Sequence, residues 1–137
     1  PLRGLPVGAL GVVLWLAGVG LYLSCARRFA VDGRGTPMPI APPDRLVVRG
    51  IYRHVRNPMY LGVLAALGGW ALFFEGDNTL ALCVFWTAVV FHLMVTLYEE
   101  PVLKRQFGES YEEYRRAVPR WIPRLSPGMP SEPSRTR

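Results

Sequence analysis

The sequence is poor in cysteine, with two residues in 137. Neither stands in a CxxC or a Cys/His spacing, so neither a disulfide scaffold nor a metal site is expected. Acid is scarce too: ten Asp+Glu face sixteen Lys+Arg, for a formal net charge of +6. No GxGxxG follows a strand pattern, and no P-loop or Gly-x-Ser-x-Gly elbow is present, which excludes the common nucleotide-cradling and serine-hydrolase motifs. Charge is missing altogether from three long apolar blocks, whereas a soluble amphipathic chain would interleave the two. The apolar share of 50% is close to that of a soluble domain, but its segregation argues for a membrane protein and against disorder.

Pro6 to Ala26 holds 21 residues without a charge, enough at about 1.5 Å per residue to cross a hydrocarbon core of roughly 30 Å. Met59 to Phe74 holds 16, opening after Pro58 with interfacial Tyr60 and Trp70, and Thr79 to Tyr98 holds 20, with His92 as its strongly polar residue. Glu75-Gly76-Asp77-Asn78 between them is a turn signal, so these two blocks read as a helical hairpin. With the first helix running outside to inside, fifteen of the sixteen bases fall on one face and only Arg3 opposite. That makes the basic face cytoplasmic. The basic excess is thereby explained by topology and by membrane lipids, not by nucleic acid. Cleavage of the first block as a signal peptide is the weaker alternative, because signal apolar cores run about 7 to 15 residues. The chain opens at Pro1 without an initiator Met, leaving helices upstream as an open expectation. Cys25 and Cys83 fall at opposite ends of their helices, as free thiols, and Gly4/Gly8, Gly62/Ala66 and Ala65/Gly69 offer small-residue spacing for close helix approach.

The two basic-side segments carry the polar chemistry. Pro37, Pro39, Pro42 and Pro43 rule out a regular helix in the first half of the loop, while Tyr52, Arg53, His54, Arg56, Asn57 and Tyr60 are too rich in hydrogen-bonding groups for a spacer. After the third block, Leu103 with Phe107 and Tyr111 with Tyr114 have helical spacing and read as short helices lying at the interface. Glu99 and Glu100 point different ways where the helix leaves the membrane, and a carboxylate facing the bundle interior there is a functional candidate. His92 stands two turns before Glu99, so His92, Thr96 and Glu99 read as one polar stripe. The plain alternative for His92 is a histidine bonded to a neighbouring helix.

Three spaced elements then resemble one family: Leu46-Val47, Gly50, Tyr52, Arg56-Asn57-Pro58, Tyr60 and Gly62; Glu99-Glu100, Leu103, Phe107-Gly108, Tyr111 and Tyr114; and Val118-Pro119-Arg120 with Pro123. Together they resemble the isoprenylcysteine carboxyl methyltransferase and phospholipid methyltransferase group, over roughly Gly33 to Leu125. The resemblance implies an all-α integral membrane helical bundle, with about three transmembrane helices in this chain plus the short interfacial C-terminal helices. Residues 1–125 would form one domain and residues 126–137 a disordered tail. It also implies an S-adenosylmethionine-dependent methyltransferase acting from the cytoplasmic face on a lipophilic or membrane-borne acceptor, a carboxylate, amine or thiol.

The implied cofactor contacts are Asp44, Arg45, Leu46, Val47, Tyr52, Asn57, Pro58, Met59, Tyr60 and Glu99. A sulfonium and an amino group favour aromatic faces and a carboxylate, which Tyr52, Tyr60 and Glu99 or Glu100 supply. His54, His92 and Glu100 are the candidate catalytic groups, a histidine being required only if an ammonium acceptor must lose a proton. Two positions depart from the pattern: Asn57 stands where many members have His, and Val95 where the eukaryotic enzymes place a substrate-binding Arg. The competing readings are a steroid-reductase-like membrane oxidoreductase using NADPH, which the Arg-Asn-Pro-x-Tyr element disfavours, and a noncatalytic membrane subunit.

Overall fold

The structure, a computed structural model, describes residues 6–32, 46, 48, 50–74 and 78–128. Asp44, Arg45, Val47, Gly4, the turn residues Glu75, Gly76 and Asp77, and the tail beyond Gly128 lie outside the described residues. The elements are helix α1 (Val7–Asp32), a 3₁₀ turn (Gly50–Arg53), α2 (Pro58–Phe73), α3 (Asn78–Met94), a π-helical turn (Val95–Glu99), α4 (Glu100–Phe107) and α5 (Glu109–Ala117). Among the described residues there is no strand.

Two apolar helical stretches are long enough to cross a membrane, Val7–Val31 and the continuous run Asn78–Phe107, while α2 is shorter at 16 residues. The outer faces stay apolar and uncovered: Val13 and Leu16 on α1, and Leu82, Phe85, Trp86 and Leu93 on α3, are each about half exposed or more. Water would disfavour such a surface by roughly 25 cal/mol per Å². A hydrocarbon surround does not.

Helices α1 and α2 run antiparallel and touch backbone to backbone. A Cβ on Gly11 would come within 2.6 Å of the Gly69 carbonyl oxygen, and one on Gly18 within 2.5 Å of the Gly62 carbonyl oxygen. The glycines on each helix are seven residues apart, which returns them to one face after about two turns. In lipid, close backbone approach supplies much of the association. The seam thus runs through Gly11 and Gly18 with Gly62 and Gly69, while Gly8, which with Gly4 gives the expected small-residue spacing, makes only ordinary contact with Phe73.

The π-helical turn has a local cause. Pro101 brings no N–H, and its ring opposes the carbonyl four residues earlier. Widening the helix lets the Glu100 N–H reach back to the Val95 carbonyl instead. Within the stripe expected for His92, Thr96 and Glu99, the Thr96 hydroxyl is spent on the His92 carbonyl at 2.7 Å.

Past α4 the chain turns at Gly108, whose φ of 55° is left-handed and whose Cβ position is open space, so backbone conformation alone favours glycine there. The Glu112 carboxylate then ties the two short helices, 3.2 Å from Lys104 Nζ and 3.1 Å from Arg115 Nη2. The hydrogen bond from Lys104 holds it below the usual carboxylate range. Tyr111, Tyr114 and Val118 are buried together with Val48, flanked by Leu46, Leu103, Phe107 and Ala117. The aromatic face of the C-terminal helices therefore packs on protein rather than standing open to lipid.

The glycine seam makes a direct prediction. Gly18→Ala forces backbone apart and should lower stability in detergent by about 1–3 kcal/mol, whereas Gly20→Ala, with nothing within 4 Å of its Cβ, should leave thermal unfolding unchanged.

Candidate active site

Pro119 and Pro123 stop the chain from continuing α5 as a helix, and residues 118–128 run instead as an irregular, bent strap across residues 53–57. The Arg56 N–H donates to the Pro119 carbonyl at 2.9 Å, the Arg124 N–H to the His54 carbonyl at 3.0 Å, and the Gly128 N–H to the Arg53 carbonyl at 2.9 Å. Side chains double the contact. Arg56 Nε donates to the Val118 carbonyl at 2.9 Å, Asn57 Nδ2 to the Arg120 carbonyl at 3.2 Å, and His54 Nδ1 lies 2.7 Å from the Arg124 carbonyl, so that nitrogen carries the proton. Two segments more than sixty residues apart thus form one surface at the membrane end of α3. Ser126 to Gly128, the first residues of the expected tail, belong to the strap.

Glu100 fastens this surface to the helix. Arg56 Nη1 and Arg120 Nε both lie 2.8 Å from its Oε1, and Arg120 Nη2 donates to Oε2 at 3.0 Å. The Arg56 and Glu100 side chains are only 9% and 12% exposed, and charges so covered are costly to leave unpaired. Arg56 Nη1 also reaches the Tyr111 hydroxyl at 3.4 Å. Tyr114 donates to the Tyr52 carbonyl at 2.7 Å, and burial pushes the Tyr52 and Tyr114 phenols up, keeping both as donors.

Glu99 faces elsewhere. The Tyr60 hydroxyl donates to its Oε1. The Tyr60 ring stacks on Phe91 at 4.5 Å between centroids and stands 6.4 Å from Trp121, while Trp121 Nε1 donates to His92 Nδ1 at 3.1 Å. The result is a carboxylate beside a tyrosine, enclosed by Phe91, Trp121 and His92. Tyr52, buried against Cys25 with Met59 and Phe29 alongside, feels the Glu99 charge as well.

The phospholipid methyltransferase family model matches residues 7–110, which takes in α1 to α4 and both glutamates. This chain belongs to that family. Among its curated relatives are protein-S-isoprenylcysteine O-methyltransferase of Schizosaccharomyces pombe, 42% identical over 80 residues, covering 57% of this chain and 33% of the relative. Methanethiol S-methyltransferase 2 of Bradyrhizobium diazoefficiens is 38% identical over 76 residues, 55% of this chain and 27% of the relative. Protein-S-isoprenylcysteine O-methyltransferase B of Arabidopsis thaliana is 33% identical over 86 residues, 58% of this chain and 40% of the relative. The matched region thus spans between about a quarter and two fifths of these relatives. No solved structure matches.

In this family member the expected site residues fall into two groups. Tyr60 and Glu99 meet directly, with Tyr52 and Met59 behind them and Pro58 buried at the start of α2. Asn57, His54 and Glu100 serve the strap, Leu46 joins the cluster around Tyr111 and Tyr114, and His92 holds Trp121. Sequence reasoning missed Trp121, Phe91 and the partnership of Arg56 and Arg120 with Glu100. The Val118-Pro119-Arg120 element was the one signal that pointed to the strap.

Replacing Glu100 with Gln leaves Arg56 buried without a counter-charge. It should lower unfolding stability by about 3 kcal/mol, measurable by denaturant titration in detergent, whereas Glu113→Gln on the exposed side of α5 should change it little.

Proposed function

We propose that the chain catalyses S-adenosylmethionine-dependent methyl transfer to a lipophilic acceptor at the cytoplasmic face of the membrane, with Tyr60 and Glu99 at the centre of the site. The observation that carries this reading is the Tyr60–Glu99 pair walled by Phe91 and Trp121. One carboxylate among aromatic faces is the environment that suits a sulfonium and an ammonium on one molecule. When bound, S-adenosylmethionine supplies a methyl group already activated on sulfur, so the protein's work is alignment and exclusion of water. Glu99 takes the amino group, the rings of Tyr60 and Trp121 face the cation, and the segments around Asp44, Arg45, Leu46 and Val47 and around Asn57, Pro58 and Met59 complete the cradle. Residues 1–125 act as one domain, with α2 as the third transmembrane helix and the basic loops on the cytoplasmic side.

The acceptor follows from which groups are free. Both Glu100 oxygens are taken by arginine and His92 Nδ1 accepts from Trp121, whereas His54, bonded to the strap through Nδ1, keeps the lone pair of Nε2. Because His54 belongs to the strap and not to the Tyr60–Glu99 pair, an acceptor that needs little help in losing a proton fits best. The names of the relatives cover an oxygen and a sulfur acceptor; a carboxylate attacks without losing a proton, and a thiol attacks as the thiolate once its proton has passed to water or a base. Val95, 1% exposed, supplies no cation in the turn before Glu99, which favours a thiolate.

Calorimetric titration of the detergent-purified chain with S-adenosylhomocysteine tests this reading. Binding is expected, and Glu99→Gln should weaken it about tenfold or more, the loss of one charge-assisted hydrogen bond of about 1.5 kcal/mol, with thermal unfolding little changed. Folded wild-type chain that binds nothing would overturn it.

A further inference from the structure

We propose that a groove at the C-terminal end of α5 seats the phosphate of an anionic phospholipid, as a docking lipid distinct from any methyl acceptor. The groove has a volume of about 340 Å³ and is lined by Arg115, Arg116, Arg124, Pro119, Pro123 and Ile122, with no acidic residue in its wall. Arg116 and Arg124 are its least committed cations, while Arg115 also pairs with Glu112 at 3.1 Å. The Arg116–Glu109 pair is long at 3.8 Å and about 70% exposed on both sides, the kind that holds little energy. Arg124 uses Nη1 on the Ala117 carbonyl at 2.9 Å, leaving further N–H groups of its guanidinium. Arginine forks match phosphate oxygens two at a time.

The depth of the groove selects a lipid over a soluble anion. Trp121 is hydrogen-bonded to His92, and His92 lies well inside the apolar run Asn78–Phe107. The residue after Trp121 is therefore held at the level of the membrane-spanning helix. Ile122 is 79% exposed there and Leu125 is fully exposed. Apolar side chains standing in lipid beside three guanidinium groups reproduce the two halves of a phospholipid, acyl chain and phosphate. A zwitterionic lipid brings its own cation into the same groove and is disfavoured. The inference stands independently of methyl transfer, since none of these side chains belongs to the Tyr60–Glu99 site.

Native mass spectrometry of the full chain released from detergent, titrated with short-chain phosphatidylglycerol, matched phosphatidylcholine and inorganic phosphate, tests it. Phosphatidylglycerol should bind about tenfold tighter than phosphatidylcholine, a difference of about 1.4 kcal/mol. The double variant Arg115→Gln/Arg116→Gln should lose that preference, and inorganic phosphate should not displace the lipid. Equal binding of the two lipids, an unchanged preference in the variant, or displacement by phosphate alone would each overturn the proposal. Should the variant misfold, salt decides on the wild-type chain: raising ionic strength from about 0.05 to about 0.5 M should narrow the preference several-fold in a solution-phase competition, and a salt-independent preference counts against the groove.

Discussion

One carboxylate shared by two arginines organises the basic end of this molecule. Glu100 stands on α4, Arg56 in the segment leading into α2, and Arg120 on the strap, so a single side chain joins three parts of the chain. A charge as covered as Glu100 is costly unless paired, and the same holds for Arg56. Removing Glu100 strands both arginines, while removing either arginine leaves the carboxylate to the other. This clamp and the backbone bonds beside it, rather than any regular secondary structure, hold residues 118–128 against residues 53–57.

Given that anchor, the adjacent glutamates have different work. Neighbouring residues on a helix are turned about 100° from one another, so fixing Glu100 toward the strap directs Glu99 to another side, where Tyr60 meets it. The π-helical turn upstream sets the register of both, and its origin is the missing N–H of Pro101. Trp121 closes the arrangement: the strap that Glu100 anchors carries the ring that stands over Tyr60 and bonds His92. The two carboxylates are consecutive in sequence, yet one is held by arginines and the other by a tyrosine.

Features that depend on local pattern were legible from sequence. Uncharged blocks located the long helices, Pro58 marked the start of α2, and the spacing of Leu103, Phe107, Tyr111 and Tyr114 indicated their shared apolar side. The Tyr60 and Glu99 elements were legible as a resemblance, and their meeting supports it. Features that depend on distant pairing were not. The Gly11–Gly18 spacing has no meaning until Gly62 and Gly69 are placed opposite, since any apolar helix carries scattered glycines. Arg56 and Arg120 look like two more bases on a basic face, and only three-dimensional contact distinguishes them from the exposed Arg105 or Arg116. Of the stripe through His92, Thr96 and Glu99, the two ends meet the Trp121–Tyr60 cluster, while the Thr96 hydroxyl turns back onto its own helix.

The helices therefore serve mainly to hold one end in register. The glycine seam fixes α1 on α2 and so the position of Tyr60, while the continuous run from α3 into α4 carries both glutamates to the same level. Amide hydrogen exchange in the Arg120→Met variant tests the central claim most directly. If the Glu100 clamp holds the strap, the amides of Arg56, Arg124 and Gly128 lose protection together, while those across the Gly18–Gly62 seam keep theirs. Unchanged protection of all three strap amides would contradict the account.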